Sequence, residues 1–300
     1  MAVTEIENHD SPRGLAFAIT AYVIWGMLPI FMKAVAHIPA AEVIAHRVLW
    51  SVPLAGVVLI YLGRTNDLVA AFKTPRMLAM GCVTAALISV NWGVYVWAIS
   101  VERTLDAALG YYINPIFSVA LGALVLKERL SGAQMVAVAL AAGAVVLLWL
   151  EAGRLPWVAV VLTVSWGFYA FFKKMLPIGP NQGFLLEVLL LTPPALGYLA
   201  WLAAHGQGHF GGTTWDTGLL MACGVITAVP LLVYANGAKL LKLSTIGILQ
   251  YIAPTMIFLM AVVVFKEPFE GARVVAFPMI WAALVIYSVS MLRGLRAARS

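Results

Sequence analysis

The chain has 300 residues, 63% of them hydrophobic and only 11% charged, whereas soluble domains carry about 45–50% apolar and about 25% charged residues. A soluble fold is therefore excluded, and so is a transmembrane barrel, which needs alternating segments of about 10 residues that this chain lacks. The formal charge of +6 does not indicate nucleic acid, because the Lys and Arg residues stand at the ends of apolar blocks rather than in one run or face.

The first thirteen residues are polar and acidic, without the basic region and short apolar core of a removable signal peptide. The first span is expected to serve as an uncleaved insertion signal. Apolar blocks of about 20 residues follow, predicting ten spans at 14–34, 40–63, 76–100, 104–126, 132–150, 156–175, 181–204, 215–238, 244–265 and 271–292. Pro29, Pro53, Pro115, Pro193, Pro194, Pro230, Pro254 and Pro278 fall inside them. Neighbouring helices can satisfy the backbone groups that such prolines free. Cys82 and Cys223 both lie in apolar blocks and read as small buried hydrophobes rather than a disulfide.

Two stretches repeat. Asp106 to Glu128 contains Tyr112-Ile113-Asn114-Pro115 and ends in Lys127-Glu128, and 139 residues later Thr245 to Glu267 contains Tyr251-Ile252-Ala253-Pro254 and ends in Lys266-Glu267. Trp25-Gly26 recurs as Trp166-Gly167 and Lys33 as Lys174, at a spacing of 141. Such periodicity predicts two copies of one unit, at 14–150 and 156–292, each with five spans. An odd number of spans turns the second copy over relative to the first. The expected fold is thus an all-α polytopic membrane protein, ten transmembrane helices as two inverted five-helix repeats. With the termini inside, 13 basic residues face the cytoplasm and five face outward. That asymmetry predicts a cytoplasmic tail at 1–13 and a basic cytoplasmic tail at 293–300.

Three blocks carry a family resemblance. Residues 41–51, Ala-Glu-Val-Ile-Ala-His-Arg-Val-Leu-Trp-Ser, then Gly110-Tyr111-Tyr112-Ile113-Asn114-Pro115, then Leu249-Gln250-Tyr251-Ile252-Ala253-Pro254-Thr255, resemble the RarD-type branch of the EamA family, often labelled chloramphenicol-sensitive protein, in the drug/metabolite transporter superfamily. The resemblance runs from Gly14 to about Leu292. It implies ten helices in two inverted repeats, a bacterial inner-membrane location, and export or exchange of small metabolites or drugs. In that superfamily the first four helices of each repeat surround a central cavity.

Candidate site residues follow from polarity in apolar surroundings. Arg47 lies seven residues past the expected outer end of span two, roughly 10 Å deep at 1.5 Å per residue. A charge at that depth contacts substrate, holds an ion pair with Asp106, Glu42 or Glu102, or snorkels to the surface. Glu187 and His46 are candidates for proton coupling, against packing roles. Lys239, Lys242 or Lys174 are the nearest predicted partners of Glu187. Asp106 reads better as a first-turn acid favoured by the helix dipole than as a catalytic group. Pro115 and Pro254 are expected to break their helices, exposing Tyr111, Tyr112, Asn114, Gln250 and Tyr251 to the cavity; interhelical hydrogen bonding is the alternative.

Asn91 and Tyr95, with Trp92 and Trp97, are answered by Tyr234 and Asn236, and Trp25 by Trp166. These can enclose an aromatic or amphipathic solute, or pack the bundle. Lys127-Glu128 and Lys266-Glu267 are assigned to anchoring helix ends, and the glycine- and histidine-containing loop 205–216 to a flexible surface segment without a metal set. The expected function is secondary transport by alternating access through a central cavity. No cofactor, metal or catalytic residue is expected; the partners are a small-molecule substrate and the bilayer, with a homodimer compatible with the Gly- and Ala-rich fifth span. An intramembrane enzyme acting on a lipid-linked substrate is the alternative, and a nontransporting interaction protein a third.

Overall fold

In lipid every backbone polar group must be satisfied within the chain, so apolar blocks of this length can cross only as helices. The computed structural model describes residues 11–63, 65–125, 130–153, 155–238, 240–241, 245–246 and 249–297. Among these residues there is no strand. In order, the elements are α1 (Pro12–Ala34), α2 (Ala40–Tyr61), α3 (Thr65–Lys73), α4 (Pro75–Ser100), α5 (Thr104–Val125) and α6 (Gly132–Ala152). They continue as α7 (Trp157–Met175), α8 (Pro180–Ala204), α9 (Thr214–Ala238), α10 (Ile252–Leu259, extended by a π turn over Met260–Val264) and α11 (Arg273–Ala297). Among the described residues seven helices are long and apolar enough to cross a membrane, and Trp157–Lys173 and Ile252–Val264 are shorter apolar helices. Lys127-Glu128, Arg129, the side chain of Lys174, and residues 1–10 and 298–300 lie outside the described residues.

Local chemistry sets the helix ends. Ser11 accepts from the Gly14 amide with Pro12 in the first turn of α1, and Ser131 and Gln134 form a reciprocal capping box on α6, which ends at left-handed Gly153. Large apolar side chains such as Val57, Ile60, Leu124, Val263 and Val285 point outward, as a lipid-facing surface requires. Two differences from the expected spans stand out. The predicted loop after span two contains α3, an amphipathic helix whose Ala71 and Leu68 pack on Leu186 and Leu190 of α8. In the last long block before Lys266, Thr245, Ile246 and Leu249 are helical, a turn intervenes at Gln250 and Tyr251, and helix resumes at Ile252.

Helix α9 packs against both α1 and α2, α2 also against α8, α7 against α4 and α5, α1 against α10, α10 against α5, and α6 against α11. Two glycines permit close approaches between the halves. A methyl at Gly26 would collide with Met256 of α10, and one at Gly167 with Phe117 of α5.

Acidic side chains tie the end of the bundle where α4, α6 and the π turn finish. Lys266 takes a left-handed backbone, φ 55°, and turns buried Glu267 back so that its carboxylate accepts from the Thr104 and Leu105 amides at 2.7 and 2.9 Å. Glu267 thus caps α5, where its charge also complements the helix dipole. Glu151 accepts from the Ala272 amide at 2.7 Å, just before α11. Replacing Glu267 with Gln is expected to lower stability by about 1–3 kcal/mol, whereas exposed Glu270→Gln should stay within about 0.5 kcal/mol. Thermal unfolding of the two purified variants would show whether they differ.

The loop after α8 is not free. Its His209 amide donates to Glu42 Oε1 at 2.7 Å and His209 Nδ1 stands 2.8 Å from Glu42 Oε2, while Phe210 stacks on His46 at 5.0 Å. The expectation of a flexible segment at 205–216 is corrected accordingly: fully buried Glu42 needs partners, and the loop supplies them. Glu42→Ala should raise cleavage of residues 205–213 by a broad-specificity protease on the order of tenfold, the effect of losing hydrogen bonds to a charged group. Unchanged cleavage would mean that the loop is held otherwise.

Candidate substrate cavity

Arg47 lies in the second turn of α2 and is 3% exposed. Its Nε donates to Thr227 Oγ1 at 2.9 Å, and that hydroxyl in turn donates to the Cys223 carbonyl at 2.7 Å. The guanidinium sits 4.6 Å from the centre of the Trp92 ring, a cation–π geometry. Its Nη1 has no hydrogen-bond partner among the described residues.

The predicted acidic partners of Arg47 are engaged elsewhere. Glu42 holds His209, Asp106 holds Arg103 and Arg273, and Glu102 holds Lys33. Arg47 has no carboxylate within salt-bridge distance among the described residues.

Around it, Trp25 of α1, Ile88 and Trp92 of α4, Trp166 and Tyr169 of α7, and Thr227 and Leu231 of α9 close a cavity of about 40 Å³. That space admits water but no organic solute. Of the predicted residues, Trp25, Arg47 and Trp166 meet here directly. Tyr234 stands behind Trp25, with ring centres 5.5 Å apart. Tyr111 stands behind Trp166 at 6.3 Å and donates to Asn91 Oδ1 at 3.0 Å, while Asn91 Nδ2 donates to the Leu162 carbonyl and Ser165 Oγ. Asn91 is therefore a strut between α4 and α7. Tyr95 packs on Tyr111, with a buried hydroxyl that has no hydrogen-bond partner among the described residues.

Glu187 is buried beside this wall. Lys173 Nζ donates to its Oε1 at 2.6 Å and the Tyr169 hydroxyl to its Oε2 at 3.1 Å. Its partner among the described residues is thus Lys173; of the expected partners, Lys239, Lys242 and the side chain of Lys174 lie outside the described residues. Adjacent helix positions point about 100° apart, which explains how His46, next to Arg47, faces a different environment. His46 accepts from Trp50 Nε1 at 3.2 Å and stacks on Phe210.

The remaining candidates lie away from the cavity. Tyr112 donates to Thr255 Oγ1 at 2.8 Å, and with Tyr251 it lines a separate, laterally open, apolar crevice of about 520 Å³ along α5, α10 and α11. Asn114 is buried. Helix α5 runs unbroken through Pro115, so the expected break there is corrected: the carbonyl that the proline leaves without an amide is that of Tyr111, and one residue before it the Gly110 carbonyl accepts from Thr163 of α7 at 2.9 Å. Pro254 stands in the first turn of α10, where its missing N–H costs nothing. Gln250 is half-buried in the preceding turn and lines neither space. The side chain of Asn236 lies outside the described residues.

Tyr169, Lys173 and Thr227 were not singled out from the sequence. The first two were accessible to helical spacing, since Trp166, Tyr169 and Lys173 share one face of α7. Thr227 was accessible through the repeat: Ile88 and Thr227, like Trp92 and Leu231, are 139 residues apart.

With this geometry in place, comparison with known proteins is informative. The model of the EamA-like transporter family matches residues 12–150. A Vibrio cholerae protein described as an uncharacterized transporter is 43% identical over 98% of this chain and 97% of its own length. A Streptomyces exfoliatus protein named RarD is 40% identical over 98% of this chain and 93% of its own length. Among solved structures, one described only as the crystal structure of a protein superposes with a TM-score of 0.60 at 18% identity, covering 93% of this chain and 98% of its own, and shares the fold.

Proposed function

The chain belongs to the RarD-type branch of the EamA-like transporter family, as a multi-pass inner-membrane transporter of the drug/metabolite superfamily, and we propose that it exports or exchanges a small organic solute by alternating access through the cavity at Arg47. The two halves, 14–150 and 156–292, rock around that cavity as inverted five-helix repeats, with both termini cytoplasmic.

One observation carries the reading: the cavity is lined by corresponding positions of the two halves. Trp25 and Trp166 face it at a spacing of 141, and Ile88 with Thr227 and Trp92 with Leu231 at 139. Helix packing supports the same exchange. The contacts of α1 with α9 and α10 correspond to those of α7 with α4 and α5, and α6 packs on its own counterpart α11. Even the tight glycine contacts interchange, Gly26 on Met256 and Gly167 on Phe117, since Phe117 and Met256 are again 139 apart. The relatives are named as transporters, which favours transport over intramembrane catalysis.

Of the two proton-coupling candidates, Glu187 is better placed. Tyr169 forms part of the cavity wall and donates to it, whereas His46 faces Trp50 and Phe210.

Comparing metabolites exported by deletion and overexpressing cells would supply a solute, and flux of that solute into proteoliposomes with and without a pH gradient would test the mechanism. Flux is expected, with gradient dependence lost in Glu187→Gln and kept in His46→Gln. A purified protein that moves no solute would overturn the proposal.

A further inference from the structure

Arg47 carries a positive charge into the bundle without a compensating carboxylate among the described residues. A charge there is costly, and such charges are normally paired. The neighbouring ionic groups do not relieve it, because Lys173 and Glu187 balance one another at 2.6 Å. Arg47 itself lines the cavity, and its Nη1 has no acceptor among the described residues. Among the described residues the cavity wall therefore carries one unbalanced cation, flanked by the indoles of Trp25, Trp92 and Trp166.

Resting on the transport reading and going beyond it, we infer that the solute is an organic monoanion with a flat apolar body, its carboxylate received by the Arg47 guanidinium and its body by the tryptophans. Thr227 holds Nε and so fixes the plane of the guanidinium, leaving its far edge to a carboxylate, whose two oxygens match that fork. A dianion such as a phosphate monoester would need a second free cation, and Lys173, which lies against the cavity residue Tyr169, is committed to Glu187. Indole faces favour flat, weakly hydrated bodies. At about 40 Å³ the cavity has room for water but not for an organic anion in this state, so the anion enters when the halves part.

The test is equilibrium binding of three radiolabelled probes of one shape, indole-3-acetate, indole-3-acetamide and tryptamine, to the full-length protein in nanodiscs. Indole-3-acetate should bind at least about tenfold more tightly than the amide or the amine, the effect of one charge-assisted hydrogen bond. Arg47→Gln should remove that preference, and Arg47→Lys should keep part of it. Equal binding of acid and amide, preference for the amine, survival of acid preference in Arg47→Gln, or failure of all three to bind would overturn the inference. Should Arg47→Gln not fold, the wild-type comparison and Arg47→Lys decide. Acid-selective binding without flux would retain this inference and remove alternating access; flux of neutral or cationic solutes by a protein that ignores the acid would do the reverse.

Discussion

Replacing Arg47 with Gln is expected to reduce solute flux by about 100-fold while leaving membrane abundance and thermal stability at or above the wild-type level. The first half of that result follows from a lost charge-assisted contact, about 1.5–3 kcal/mol, with each 1.4 kcal/mol worth about tenfold. The second half follows from what the side chain lacks. A buried ion with a good partner destabilises when removed, but among the described residues the Arg47 side chain has only Thr227 and the Trp92 face. Glutamine removes the desolvated charge while keeping a donor for Thr227 Oγ1. Flux and stability should therefore move in different directions, as they do where a site is kept at a cost to the fold. A variant that loses stability and flux together would assign Arg47 to the scaffold.

The opposite pattern is expected at Lys173. Removing this lysine leaves Glu187, 1% exposed, with only the Tyr169 hydroxyl. Lys173→Met should cost about 3–5 kcal/mol, the penalty for an uncompensated buried charge. The double variant Lys173→Met with Glu187→Gln should recover most of it, because no charge then remains. Thermal or denaturant unfolding of the single and double variants measures this directly. A double variant no more stable than Lys173→Met would mean that the pair is not what holds α7 to α8.

The contrast between these residues also shows what the sequence could and could not convey. Span positions and the repeat were legible because hydropathy and spacing are one-dimensional properties. The nine residues of α3 were not, since Leu68 and Ala71 give too short an apolar pattern to distinguish from a loop. Arg47 was legible as a charge in an apolar block, and Trp25 with Trp166 through the repeat. Their neighbours were harder to find because depth in the membrane fixes only one coordinate. Asp106 and Glu42 were matched to Arg47 by depth, yet they bond around other faces of the bundle. One position along a helix turns a side chain by about 100°, so matching by depth alone missed Lys173, the residue that pairs with Glu187. Tyr112 and Tyr251 share the repeat motif of Tyr111 and Gln250 but turn toward the lateral crevice.

Thiol accessibility in the cavity wall offers the most direct measurement. With Cys82 and Cys223 replaced by Ser, Ile88→Cys and Leu231→Cys each place one thiol among the cavity-lining residues, and a membrane-impermeant reagent can be applied to right-side-out or inside-out vesicles. Alternating access predicts that each thiol reacts from both sides and that transported solute slows both reactions. Labelling from one side alone, or from neither, in a variant that still transports would contradict a cavity that opens to each face in turn.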